Sequence, residues 1–403
     1  MNVLVVNAGS SSLKYQLFDT SSDVVVAKGL CERIGIDGAI SHKNLMNEAT
    51  YSAQLDMPNH TVAMRYVVDA LLNAEYGCVK SMDEIEAVGH RIVHGGAYFS
   101  ESVLLNEDVL AKLELCRDLA PLHTGAHLQG IAGCLDVMPN TPQVLVFDTA
   151  FHQTMSKEAY MYAIPYEMYE KYSVRRYGAH GTSHRYVAGE MIKLMGGKAE
   201  GTKIVTCHLG NGSSISAVKD GKVVDTSMGF TPLAGLEMGT RCGDIDPAIV
   251  PFIMEKTGMT PAQMNDFMNK KCGLLGVSGV SSDCRDLEAA IADGNERAKL
   301  SMDILGYQIK KFIGAYAAAM GGLDAIVFTA GIGENTASLR SNVLDGFKTL
   351  GVNYDAEVNK NTFGRSGVTK LSTDDSNVLV YMIPTNEELV IARDTEALVN
   401  KTK

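Results

Sequence analysis

Two rhythms of apolar and polar positions run along the chain. Residues 2–7 are an apolar run that ends at Gly9-Ser10-Ser11-Ser12. Alternation resumes through Leu13, Tyr15 and Leu17, a turn follows at 20–23, and 24–27 is apolar again. A period of two, punctuated by glycine, serine and aspartate, predicts strand, turn and strand. The same order returns in mid-chain. Residues 203–207 are apolar, His208-Leu209-Gly210-Asn211-Gly212-Ser213-Ser214 is the glycine turn, 215–218 is the next strand, and Asp220-Gly221 turns into 222–225. This internal repeat predicts two domains of one fold, their glycine turns facing one cleft.

The second rhythm has the 3.6-residue period of helices. Asn106 stands as N-cap to 106–119, with Val109, Leu110, Leu113, Cys116 and Leu119 along one face. Residues 61–74 repeat the pattern, 295–320 reads as one long amphipathic helix or a broken pair, and 387–399 closes the chain. Further strand runs lie at 87–93, 143–147, 325–329 and 378–383. Interleaved strands and helices argue for an α/β fold with mixed sheets. The Tyr-rich, Pro-broken stretch 151–172 reads as the join between halves. The expected division is 1–150, joined by a C-terminal helix at about 386–403, and 151–385.

Composition narrows the classes. With 403 residues, 46% of them hydrophobic and 21% charged, the chain suits a sizeable two-domain core and not a disordered protein. Apolar stretches break at Gly or Asp well before membrane-spanning length, and residues 1–6 lack a basic leader. Eight cysteines stand singly, with no CxxC pair, as expected of reduced thiols in the cytoplasm. A net charge of −11 argues against nucleic-acid or anionic-membrane partners. An acidic protein that binds a nucleotide must gather its positive charge locally, so clusters of Arg, His and Gly carry weight.

Those clusters sit at strand ends, where open α/β sheets place ligand sites. Asn7-Ala8-Gly9-Ser10-Ser11-Ser12-Leu13-Lys14 offers close-approaching N–H groups, hydroxyls and a cation to phosphate, and Asn7 offers oxygen to a hard metal ion. Taken alone it reads as a hairpin turn. The segments 208–214 and Thr329-Ala330-Gly331-Ile332-Gly333-Glu334-Asn335 follow buried strands, and the latter opens a helix. Neither is a Walker A loop or a complete GxGxxG, because Thr336 holds its last position; a set of strand-terminal glycine turns is the better signal. Arg91 (in His90-Arg91-Ile92-Val93-His94-Gly95-Gly96), Arg175 and Arg176 (before Tyr177-Gly178-Ala179-His180-Gly181), and Arg241 (in Gly239-Thr240-Arg241-Cys242-Gly243) sit beside glycines. That setting suits a planar fork gripping carboxylate or phosphate. Arg175 reads best as a surface ion pair. Asp148 ends the strand 143–147 and is a metal or catalytic candidate or, equally, a helix N-cap. Glu387 and Glu388 read as first-turn helix acids, and His123 and His127 as structural.

At these residues the chain resembles the acetokinase family. The resemblance rests on 6–14, on Arg176-Tyr177-Gly178-Ala179-His180-Gly181-Thr182-Ser183-His184, and on 90–96, 148–152, 208–214, 239–246, 282–285, 331–335 and 385–388. It implies two duplicated ribonuclease-H-like domains flanking a nucleotide cleft, as in sugar kinases, Hsp70 and actin. It also implies transfer of the ATP γ-phosphoryl group to acetate with Mg²⁺ or Mn²⁺, in a cytoplasmic homodimer. Carried over by position, Asn7 and Glu387 hold the metal. Lys14, His208, Leu209, Gly210, Asn211, Gly212, Asp283, Cys284, Arg285, Gly331, Ile332, Gly333, Glu334 and Asn335 bind ATP. Arg91 holds the acetate carboxylate, Asp148 is the catalytic aspartate, and His180 and Arg241 stabilise the transition state. Val93, Leu122 and Pro232 line the methyl pocket. The family usually has Phe where this chain has Ala179, which leaves acyl-chain selectivity open between acetate and propionate or butyrate; Cys284 is a smaller departure. A more distant reading is an ATP-driven binding module of the Hsp70 or actin kind.

Overall fold

The computed structural model describes residues 1–121 and 123–402. By its contacts the chain divides into two units, Met1–Phe151 with Asn386–Lys403, and His152–Thr385.

The first unit holds strands β1 (Asn2–Ala8), β2 (Ser12–Asp19), β3 (Val24–Glu32), β4 (Ala39–Asn44), β5 (Thr50–Gln54), β6 (Ala87–Ile92), β7 (Val103–Leu104) and β8 (Gln143–Phe147). Their order across the sheet is β5-β4-β3-β2-β1-β6-β8-β7. Strands β1 to β5 form an antiparallel meander, while β6 pairs parallel with β1 and β8 parallel with β6. Helices His60–Leu72 and Thr124–Val137 cover one face, and the C-terminal helix Glu387–Asn400 packs against β1, β6 and β8. Val3 to Val6 are therefore all buried, so β1 is an unbroken apolar run. In β2 Leu13, Tyr15 and Leu17 join the core with Lys14 exposed between them, and Phe18, beyond the irregularity after Leu17, is buried as well.

The second unit repeats this plan. It contains β9 (Lys203–Leu209), β10 (Ser213–Lys219), β11 (Lys222–Thr226), β12 (Ala325–Thr329), β13 (Thr369–Lys370) and β14 (Leu379–Met382), ordered β11-β10-β9-β12-β14-β13. Again an antiparallel meander is followed by two parallel strands and a short antiparallel edge strand. The order β3-β2-β1-β6-β8-β7 maps strand for strand onto this sheet, so the repeat extends from one glycine turn to a whole topology. Residues 295–320 form a single helix, Glu296–Met320. The Asn295 side chain accepts the Ala298 N–H, and Gly321 stops the helix in a left-handed conformation. The expected helix 106–119 is shorter: Glu107–Leu115 continues only as a 3₁₀ turn, Arg117–Leu119. Among the described residues no helix is long and apolar enough to cross a membrane. All eight cysteines are free.

Candidate active site

In the first unit the parallel strands β6 and β8 end side by side. Arg91 and the residue after β8, Asp148, are brought together by that register. Asp148 is almost fully buried, and its carboxylate accepts from Arg91 Nη2 at 2.7 Å and Nε at 3.3 Å. Its backbone N–H donates to Ile92 O at 2.8 Å, which ties the residue into the strand end. Glu387, first residue of the C-terminal helix, lies 3.8 Å from Arg91 Nε. The charge of Asp148 above all holds the Arg91 guanidinium firmly protonated, and burial pushes the Glu387 carboxyl up to about 7 in spite of Arg91. Next along the chain, half-buried Val93 donates its N–H to His127 Nε2 at 3.2 Å. His127 is buried, its pKa pushed down to about 3 first by desolvation, so it is a neutral brace, as read from sequence.

Asn7 pairs across the meander with Lys14, and both line a cavity of about 440 Å³ on the open side of the sheet together with Glu388. The donors Asn7, Asp148 and Glu387 are all oxygens. A buried carboxylate short of positive charge is the kind of group a hard divalent cation binds. No three His, Cys, Asp or Glu side chains form a metal cage among the described residues. Mg²⁺ needs none, since it is commonly held by one or two carboxylates, waters and substrate phosphates. The residues fit the ion.

In the second unit, strand ends again make the site. His180 precedes helix Gly181–Leu194 with φ 58°, a left-handed strain that a non-glycine residue adopts rarely. Its Nδ1 lies 2.8 Å from Ser214 Oγ, and its ring stacks on His208 with centroids 4.1 Å apart. Arg241 donates through Nη1 to Pro232 O at 3.1 Å and lies 3.8 Å from Met238 Sδ. Among the described residues no carboxylate stands within ion-pair distance of it, and burial lowers its pKa. Arg241 Nη1 and His180 Nε2 converge on one bare spot: a Cβ on Gly212 would stand 3.4 Å from the first and 3.5 Å from the second. Gly239 brings the Arg241 segment against the Gly210–Gly212 turn, its N–H donating to Asn211 O at 3.0 Å. Any side chain there would collide with Asn211.

The three segments expected to bind nucleotide meet in this unit. A cavity of about 850 Å³ is lined by Gly210 and Asn211, by Asp283, Cys284 and Arg285, and by Gly331, Ile332 and Asn335. The others named with them play supporting parts. Leu209 is in the core. Gly333 O accepts from Arg340 Nη1 at 2.8 Å. Glu334 Oε1 accepts the N–H groups of Ala330 (2.9 Å) and Thr385 (3.2 Å), which holds the turn in which Ala330 takes φ 64°. Asp283 caps helix Cys284–Ala292 and pairs with exposed Arg285 at 2.6 Å. That side chain draws its pKa down to about 2.

Two lining residues, Glu288 and Phe363, went unread in the sequence. The lone aromatic beside Gly364 was the available signal for the second. Arg340 was missed too: fully buried, it donates to Asn359 Oδ1, Asn359 O, Thr362 O and Gly333 O at 2.7–2.9 Å, tying the Gly331–Asn335 turn to the segment that presents Phe363. Arg175 departs from the surface ion pair expected. It is buried, its guanidinium 3.7 Å from the Tyr160 ring centroid and its Nε donating to Arg176 O at 3.1 Å. Leu122 lies outside the described residues.

A doubled β-meander fold whose strand-end turns line one cavity is the plan of a two-domain α/β kinase. The sequence profile of the acetokinase family matches residues 2–393. The chain belongs to the acetokinase family. It is 56% identical over 401 residues to an acetate kinase of Phocaeicola vulgatus, covering 100% of both chains. The crystal structure of Porphyromonas gingivalis acetate kinase superposes with a TM-score of 0.95 at 47% identity, covering 99% of each chain. A propionate kinase from Francisella tularensis superposes at 0.90 with 41% identity, covering 98% of this chain and 99% of that one.

Proposed function

We propose that the chain transfers the γ-phosphoryl group of ATP reversibly to the carboxylate of acetate, giving acetyl phosphate and ADP. The observation that carries the reading is the way Arg91 is held. Asp148 occupies the Nε and one Nη2 donor of its fork. A guanidinium has five donors, so the Nη1/Nη2 edge can take a second carboxylate, that of the substrate. By position, the family resemblance assigns Val93, Leu122 and Pro232 to the methyl group of acetate.

Acetate has a pKa near that of a Glu side chain, about 4.3, and is ionised at neutral pH, so no general base is needed. The difficulty is to bring one anion to another. Arg91 orients the acceptor, and Arg241 with His180 neutralises the equatorial oxygens of the moving group, in a direct in-line transfer without a phosphoenzyme. The segments around Asn211, Asp283–Arg285 and Gly331–Asn335 hold the nucleotide, with Lys14 on its phosphates. Asn7 and Glu387 would hold Mg²⁺ or Mn²⁺, with Asp148 ordering its waters; bound there, the ion supplies charge neutralisation at the phosphate oxygens.

The protein acts as a cytoplasmic homodimer. Support for the dimer comes from helix Ile249–Thr257, where Ile249 and Phe252 are exposed and no residue is buried, an apolar surface suited to a second copy. Eight free thiols support a reducing compartment.

Ala179 favours a second reading, a propionate kinase. It is buried against Met228 and Met238, pliable side chains that leave room for a longer acyl chain. One methylene in an apolar pocket is worth only about 1–3 kcal/mol, so the two substrates overlap. Trapping acyl phosphate with hydroxylamine across acetate, propionate and butyrate tests both. The expected result is acetohydroxamate only when ATP and Mg²⁺ are both present. ATP turnover indifferent to any carboxylate would instead revive the Hsp70- or actin-like module.

A further inference from the structure

Behind His180 runs a chain of hydrogen bonds that the reaction as described does not use. Ser214 Oγ on β10 lies 2.8 Å from His180 Nδ1 and 2.7 Å from His184 Nε2. His184 Nδ1 lies 2.7 Å from Thr206 Oγ1 on β9, and the Thr206 hydroxyl donates to Ser216 O at 3.5 Å. Each hydroxyl has a single proton, and a neutral imidazole has one donor and one acceptor nitrogen. His184 is fully buried, and desolvation, with His152 and His208 adding to it, drives its pKa well below the usual value, so it stays neutral.

The directions then follow in sequence. With the Thr206 proton given to Ser216 O rather than to His184 Nδ1, Thr206 accepts from His184 Nδ1–H. His184 Nε2 is left as an acceptor and takes the Ser214 O–H. Ser214 Oγ, its proton spent, accepts from His180 Nδ1–H. A parallel line serves the next residue on the same face of β10. There Thr226 donates to Ile215 O at 3.2 Å and accepts from Ser216 Oγ at 2.9 Å, and Ser216 Oγ accepts from His152 Nε2 at 3.1 Å. Ser214 and Ser216 are thus two rungs that fix histidine tautomers.

We propose that Ser214 and His184 are positioning residues that hold the proton of His180 on Nδ1, so that Nε2, the nitrogen beside Arg241 Nη1, becomes a donor only in the doubly protonated ring. This rests on the phosphoryl-transfer reading. A neutral His180 with its proton on Nε2 would be a mere dipole at the moving phosphoryl group. The relay rules that form out and makes His180 act there as a full cation. The left-handed backbone at His180 and the stack on His208 fix the ring plane, and the relay fixes which end carries hydrogen.

The test is ¹⁵N-edited spectroscopy of imidazole-labelled full-length protein without substrates, the His180 resonances assigned by their loss in His180→Asn. The expected spectrum has Nδ1 protonated in the neutral ring. In Ser214→Ala the Nε2–H form appears, and kcat falls about 10–100-fold, as for other groups that orient a functional imidazole. KM for acetate and ATP stays near wild type, and Ser214→Thr, which keeps a hydroxyl, restores kcat. A wild-type ring protonated on Nε2, or Ser214→Ala with wild-type kcat, overturns the proposal. The wild-type spectrum decides alone if Ser214→Ala does not fold. Since the spectrum needs no turnover, a protein that shows the relay yet makes no acyl phosphate disproves the function and not the tautomer.

Discussion

The two units carry the same sheet, yet they treat a functional arginine in opposite ways. Arg91 in the first unit is gripped by Asp148 at 2.7 Å and has Glu387 at 3.8 Å, so its surroundings are already net negative. Among the described residues, Arg241 in the second unit has neutral partners, the Pro232 carbonyl and the Met238 thioether. On the proposed function, the difference says what each cation is for. A guanidinium with a carboxylate on one edge is oriented and charge-satisfied, so it holds a monoanion in a set direction. A half-buried guanidinium without a counter-ion is electrostatically unsatisfied until an anion arrives, and it gains most where negative charge is greatest.

The largest expected effect breaks the comparison directly. Arg241→Ala should lower kcat by about 10³–10⁵, the worth of a transition-state arginine in phosphoryl transfer, and leave acetate KM nearly unchanged. Arg91→Ala should raise acetate KM as well as lower kcat. Steady-state kinetics of both variants across acetate concentrations checks the split. Mild and equal losses in the two would mean that the asymmetry of partners has no mechanistic content.

Much of this arrangement was legible in the chain because its signals are local. Val3–Val6 is an unbroken apolar run and 204–207 a fully buried one interrupted only by Thr206, and the glycine turns that follow them sit where the backbone must leave the sheet. Asp148 and Arg91 could be placed because each ends a strand. Strands β4 and β5 were not read: the buried face of β4 carries the polar His42 and Asn44, and in β5 the inward Tyr51 and Ala53 are only half buried. Edge strands β7 and β13 are two residues each, too short for any period. The partner of each charge was illegible for a different reason. Whether an arginine meets a carboxylate, a tyrosine ring or a row of carbonyls depends on residues far off in sequence. Arg175 looked like a surface cation and is buried on Tyr160, while Arg340 went unread.

Arg340 sharpens the comparison, because among the described residues it too has no carboxylate partner, and its donors are taken up within the protein. Its charge is met by three carbonyls and one amide oxygen, and burial still pulls its pKa down to about 10. Arginine cannot discharge at neutral pH, so a buried one must be solvated by the protein. Arg340→Met would strand those acceptors. A loss of about 3–5 kcal/mol in urea unfolding is expected, since buried unpaired acceptors cost roughly 1–3 kcal/mol each and the site relaxes in part. KM for ATP should rise with it, because both the Gly331–Asn335 turn and the Phe363 segment lose their brace, while acetate KM holds. An unchanged unfolding midpoint would show that saturation by neutral oxygens does little for a cation here.

The smallest expected effect concerns the converse case, an anion with nothing to meet it. Glu237 lies in the segment that leads to Arg241, is 2% exposed, and neither of its oxygens has a hydrogen-bond partner. Ser301 lies near enough to favour the charged form somewhat, yet its hydroxyl donates to Leu274 O at 3.3 Å. Burial wins, and the carboxyl is pushed up to about 8. Unlike an arginine, a glutamate can escape the desolvation cost by keeping its proton. The folded protein therefore holds a proton that the unfolded chain releases near pH 4.3. The stability this supplies is complete below that value, is lost steadily as pH rises, and is gone above about 8. Glu237→Gln has no proton to lose, so relative to wild type it should gain about 1–3 kcal/mol between pH 5 and pH 8, with most of the gain at the upper end. Melting curves of the two proteins across that range decide it. Parallel curves would mean that Glu237 is ionised and has found a partner on folding, and that the second unit compensates anions as readily as the first compensates Arg91.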